Sequence, residues 1–251
     1  MLLSDVDEHR ALINGVTTLA ENDLTSYVSS IVGESPDRVA AQVRPAAASV
    51  VSQYGEVAAV SGALFYETNR PVSGYSVPLV GASIGEDLVS SLGWALTPLF
   101  RPDLFAPEDA VSRLQGVVQQ YVATADRVTI IEAARRDPLK ATTVRYARAG
   151  ACAFCAMMSA QEARAGGAHW HDNCRCVEVP SWDAAPAPES ALRDLHREQF
   201  EQARQSLLDA RRDHPAYRSM SNRRFLRAHP EYALNNKNLA RVMREMHGFA
   251  H

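Results

Sequence analysis

The chain has 251 residues, of which 46% are hydrophobic and 22% charged, the composition of a globular protein with enough apolar material for a buried core. A formal net charge of −3 excludes general polyanion binding by the whole chain and leaves that role only to a local segment. No uncharged apolar run approaches the ~18 residues of a membrane span, and the acidic start Met-Leu-Leu-Ser-Asp-Val-Asp-Glu is unlike a secretory signal, so the sequence predicts a soluble, unexported protein with no membrane contact.

The first 140 residues read as helices. Val16, Ala20, Leu24, Tyr27 and Ile31 recur at steps of three or four, one face of a 3.6-residue period. Ser35-Pro36 restarts the pattern as N-cap and first helical residue, and Val39, Val43, Val50, Tyr54, Val57 and Leu64 carry it to Tyr66. Pro45 lies inside this run and predicts a kink or break. Residues 69–83 have loop composition, with Pro71, Gly74, Pro78 and Gly81, and a short helix is expected from Glu86 to Leu96.

Pro107 opens the clearest element. Val111, Leu114, Val118, Tyr121, Ala125 and Val128 keep a heptad stripe, the mark of a buried bundle helix or, less commonly, of a coiled-coil seam. Asp137-Pro138 ends it, because the residue before proline disfavours the helical region. The period then changes: Thr142–Tyr146 and Arg175–Val179 alternate and are β-rich. Residues 182–189 read as a linker, followed by charged helix over 190–213, a basic stretch, and a last helix over 236–247.

All four cysteines fall between Cys152 and Cys176. The spacing is Cys152-x2-Cys155, then His171-x2-Cys174 with Cys176 close behind. Two such pairs facing each other across a hairpin can complete a tetrahedral, structural zinc site, with Cys176 or His169 spare, or with Cys174 or Cys176 in place of the histidine. The plainer alternatives are buried thiols or oxidation of Cys152 or Cys155 with Cys174 or Cys176. A thioredoxin-like redox pair lacks the βαβ setting it needs.

The run Val144-Arg-Tyr-Ala-Arg148, Cys152-Ala-Phe-Cys155-Ala-Met-Met-Ser159, then His171-Asp-Asn-Cys174-Arg-Cys176 with Pro180, resembles the signature of tailed-phage minor head proteins. These are the F-like proteins of phage Mu and their head-morphogenesis relatives, the actinobacteriophage type above all, whose preceding Arg135-Arg136-Asp137-Pro138 is also present. The likeness spans about residues 135–182, and the stretch from Gln161 to Trp170 is shorter than in the actinophage relatives. It implies a virion protein of the head interior, assembled in the host cytoplasm, with the portal protein and the major capsid or scaffold protein as partners and DNA as a further one. Some relatives carry the label of capsid maturation protease, which makes proteolysis the alternative activity. A zinc-knuckle nucleic-acid binder is the second alternative.

Gly81-Ala-Ser83-Ile-Gly85 matches a nucleophile pattern but lacks the strand-turn-helix setting that makes such a serine reactive. A protease would otherwise need Ser83 or Ser159 beside His169 or His171, oriented by a carboxylate such as Asp172. We therefore assign no catalytic residue. From Glu189 onward, twelve Lys and Arg face eight Asp and Glu, a local excess of positive charge. Arg218, Arg223, Arg224 and Arg227, interleaved with Tyr217, Phe225 and His229, are the candidate contacts to DNA or a partner, against the plainer reading of a solvated helical face.

The expected protein is mainly α: an N-terminal helical bundle with long helices over 1–138, a small β-containing Cys/His knuckle over 139–182, and a linker with a charged helical tail over 183–251.

Overall fold

In the computed structural model the described residues are 1–31, 33–104, 106, 108–161 and 174–249. The fold is mainly α. Nine α-helices and one two-stranded sheet are found among these residues. The chain divides into two compact units, one of Met1–Thr143 with Arg164–Ala187, the other of Val144–Ala163 with Pro188–His251.

The first unit is built from α1 (Leu3–Ser30), α2 (Pro36–Asn69), α3 (Glu86–Ala95), the single turn α4 (Thr97–Phe100) and α5 (Glu108–Arg136). At ~1.5 Å per residue, the 29 residues of α5 span roughly 43 Å. Helix α5 packs against α1, α2 and α3, which settles its heptad stripe as a bundle helix. Burial runs round most of it: Leu114, Val118 and Ala125 of the stripe are buried, and so are Gln119, Asp126, Arg127 and Thr129. Pro107, the expected opener, lies outside the described residues.

In α1 the stripe holds at Val16, Ala20 and Leu24, but Val28 rather than Tyr27 closes the buried face. Helix α2 corrects two expectations. It runs unbroken through Pro45, whose exposed position lets water solvate the Ala41 carbonyl that the missing N–H leaves free. Its buried face also departs from the expected one after Val43, continuing through Ala47, Val51, Ala58, Ala59 and Ala63, so that Val57 and Leu64 face outward. Small residues decide this register because they allow close approach. A Cβ on Gly55 would meet that of Ala82 at 2.5 Å, and one on Gly62 would meet oxygens of Asp126 at 2.8 Å.

The expected loop after α2 is extended chain fastened to the bundle: the Thr129 hydroxyl bonds both the amide and carbonyl of Val80, at 3.1 and 3.2 Å, and the Tyr75 hydroxyl donates to Ala133. Strand β1 (Thr142–Tyr146) falls where the alternation predicts it. Its partner β2 is Val177–Ser181, two residues beyond the expected span. The supposed linker after it begins with structure, since Trp182 is 3% exposed and exchanges backbone hydrogen bonds with Ala185.

In the second unit α6 (Ala153–Ala160) packs with α7 (Ala191–Asp213) and α9 (Asn236–His247), and α8 (Asn222–Ala228) lies between two short 3-10 turns. Met157, Ala203, Leu207, Leu239 and Met243 form its core. Side chains of Ser190, Ser221 and Asn235 cap α7, α8 and α9 by accepting from the backbone amides three residues on. Among the described residues, no helix is long and apolar enough to cross a membrane.

Candidate functional site

The cysteine motif does not begin as a knuckle turn. Cys152 is the N-cap of α6 and Cys155 lies in that helix's first turn, where Ala-Phe-Cys-Ala-Met-Met-Ser-Ala supplies good helix formers. Cys174 and Cys176 lie on the extended segment that leads into β2.

That segment is held from α5. The buried guanidinium of Arg127 donates from Nη2 to the Cys174 carbonyl at 2.5 Å and from Nε to the Cys176 carbonyl at 2.9 Å. Gln119 Nε2 donates to the same Cys174 carbonyl at 2.9 Å. Sequence reasoning missed both residues, because polar groups on a long amphipathic helix read as solvent-facing until something packs over them.

Cys155 in the second unit is buried, at 2% exposure, and so are Cys174 and Cys176 in the first, at 2% and 3%. Buried thiols from both halves of the motif are compatible with a zinc site, where each sulfur would stand ~2.3 Å from the ion. Cys152, half-buried at the N-cap, is one candidate for the fourth ligand. His171, the other, lies with His169 and Asp172 outside the described residues.

The serine candidates take up structural places. Ser83 is exposed on the extended chain before α3, with no sheet beneath it, and the cavity it borders is lined by Asp87, Gln120, Tyr121 and Thr124 and by no described histidine. Ser159 is fully buried in α6, and its carbonyl accepts from Arg193 at 3.3 Å.

A family model described as VG15 protein matches residues 3–203. The chain belongs to the VG15 protein family. It is thereby a phage protein, although the F-like minor-head type is a further statement that this match does not make. No curated protein and no solved structure matches the chain. The VG15 match ends within α7, so the arginine segment lies beyond it.

In this VG15 chain half of the cations on α7 and α9 form local pairs: Arg197 with Asp194, Arg204 with Glu201, Arg212 with Asp209 and Arg241 with Glu245, at 2.7 to 3.2 Å, while Arg193, Arg211, Lys237 and Arg244 form no ion pair among the described residues. The pairs are the solvated helical faces of the plainer reading. Arg218, on the 3-10 turn, and Arg223, Arg224 and Arg227, on α8, are all exposed, and none forms an ion pair among the described residues. On α8 the spacings of three and four set Arg227 on one side with Arg223 and Arg224.

Of the interleaved aromatics, Phe225 is not free for stacking on bases, while Tyr217 and His229 are half-buried. Phe225 has no exposure and is ringed by His214, Tyr217, His229 and Tyr232, with centroids 4.8 to 5.6 Å away. Their apolar surface is used in holding α8 to the turns around it. What the segment offers a partner is positive charge.

Proposed function

We propose that this VG15 protein is a minor head protein of the virion, structural rather than catalytic, placed in the head interior with the portal protein and the major capsid or scaffold protein as partners. One observation carries the reading: Cys155, Cys174 and Cys176, from the two halves of the motif that resembles the F-like head proteins, are all buried. Zinc is the metal we assign to them, with Cys152 or His171 as fourth ligand, and its role is to fix the local chain rather than to activate water. The unpaired arginines of residues 218–227 favour a second contact, to the phosphates of packaged DNA.

The test is the composition of heads. Purified procapsids and filled virions are compared by quantitative mass spectrometry, with and without cross-linking. The reading expects a few copies per head in both, cross-linked to portal. Absence from both particles overturns it. Loss of capsid-precursor cleavage when the gene is deleted, restored by wild type and not by Ser83→Ala or Ser159→Ala, would establish the protease alternative instead.

A further inference from the structure

Helices α1 and α2 carry between them a groove that the bundle core does not use. The His9 ring stacks on Phe65 at a centroid distance of 4.1 Å and an angle of 7°, and further along the Tyr54 hydroxyl donates to Asp23 at 2.5 Å. The two contacts define an antiparallel register that sets Leu12 opposite Leu64 and Leu19 opposite Val57, with Val60 between them. All five side chains are 44% to 58% exposed. Scattered exposed leucines are ordinary, but a continuous row along two packed helices marks an interaction face.

At the end of this row nearest the start of α1 the groove deepens into a cavity of about 550 Å³, bordered by Asp5, Glu8, His9, Leu12, Leu64 and Phe65. Its lining holds the two carboxylates, with the α-amino group of Met1 beside them, and no Lys or Arg side chain. The floor is fixed, because His9 is 5% exposed and its Nε2 stands 2.9 Å from the fully buried carboxylate of Asp126.

We propose that this groove is the docking site of an amphipathic helix from a partner protein, one that presents apolar residues at i, i+3 or i+4 and i+7 and carries a Lys or Arg at the end seated over the cavity. Leu12 and Leu19 lie seven residues apart, about two helical turns, which matches anchors at i and i+7 of an occupant running alongside. Charge complementarity chooses the occupant: the cationic head meets Asp5 and Glu8 while its methylene stem covers Leu12 and Leu64. An acidic helix of the same apolar pattern is repelled.

The experiment uses the full chain and two labelled synthetic helices of about 18 residues, one of leucine and lysine and the other with glutamate in place of lysine. Fluorescence anisotropy should show binding of the lysine peptide only, weakened about tenfold or more by Leu64→Glu and, separately, by Glu8→Lys. Circular dichroism confirms that each variant keeps its helical content. Equal binding of both peptides, or binding unchanged in a folded Leu12→Glu/Leu64→Glu variant, overturns the proposal. So does self-association of the wild-type chain that Leu64→Glu abolishes, because the groove is then covered by a second copy.

Discussion

Arg70 and Asp137, at the ends of α2 and α5, form a two-pronged ion pair, Nε to Oδ2 and Nη2 to Oδ1, each at 2.9 Å. The same carboxylate also accepts from the Tyr66 hydroxyl, the Trp182 indole N–H and the Leu139 amide, at 2.8, 3.1 and 2.8 Å. Burial alone would push its pKa up, but the donors outweigh it and hold the group well below the usual carboxylate range. Stability from this lowered pKa is fully present above the unfolded value near 4 and is lost as pH falls through the folded one. Asp137→Ala strands buried donors and should cost about 3–5 kcal/mol at pH 7. Denaturant titrations at pH 7, 5, 4 and 3 should show the gap between wild type and Asp137→Asn narrowing only below about pH 4.

A second buried pair makes a cleaner double-substitution test. His9 and Asp126 meet where α1, α2 and α5 cross, and both side chains are almost fully buried. Removing either alone should cost about 1–3 kcal/mol, while His9→Leu/Asp126→Leu should recover most of the loss. Gly62→Ala should also destabilise, by about 1–3 kcal/mol, because its Cβ would press on the Asp126 oxygens. Urea midpoints of the set check all of this, and additive single losses would rule out coupling of the pair.

Metal content resolves the cysteines. Purified protein should hold about one zinc per chain, with Cys155→Ser, Cys174→Ser and Cys176→Ser each reducing it sharply. Whichever of Cys152→Ser and His171→Ala does the same identifies the fourth ligand. Full thiol reactivity without chelator, and no zinc by mass spectrometry, would leave three buried free thiols instead.

His196 gives the tail unit a pH dependence of its own. Burial holds its pKa below the ordinary value of 6.5, and its Nδ1 has no hydrogen-bond partner among the described residues. The unfolded chain therefore takes up the proton first, and stability falls as pH drops below about 6.5. Thermal melts of wild type should show that decline, and His196→Leu should flatten it.

If the arginine segment meets DNA, affinity should fall steeply with salt. Each of Arg223→Ala, Arg224→Ala and Arg227→Ala should reduce the salt slope by about 1, with no change in sequence preference. Arg204→Ala, whose partner is Glu201, serves as the control that should change neither.

The helices were legible because their periodicity is local: α3, α7 and α9 fall within a residue of the spans expected, and β1 coincides with its alternating run. The strand after the cysteines was legible in kind and shifted in place. Helix α6 was missed because a Cys-x2-Cys spacing suits a turn and a helix start equally well, and only the packing of Ala153, Ala156 and Met157 against α7 and α9 favours the helix.

The sequence by itself determined the helical class, the cysteine cluster and the basic segment, since each is written in residue type and short-range spacing. Tertiary structure alone decided which polar groups of α5 are buried and what they hold. Arg127 on the Cys174 and Cys176 carbonyls, Asp126 under Gly62 and Asp137 on Arg70 join residues far apart in the chain. A charged side chain has no local signal that says it will be enclosed. Its partners come from other elements, and only when the helices pack does desolvation make those partners necessary.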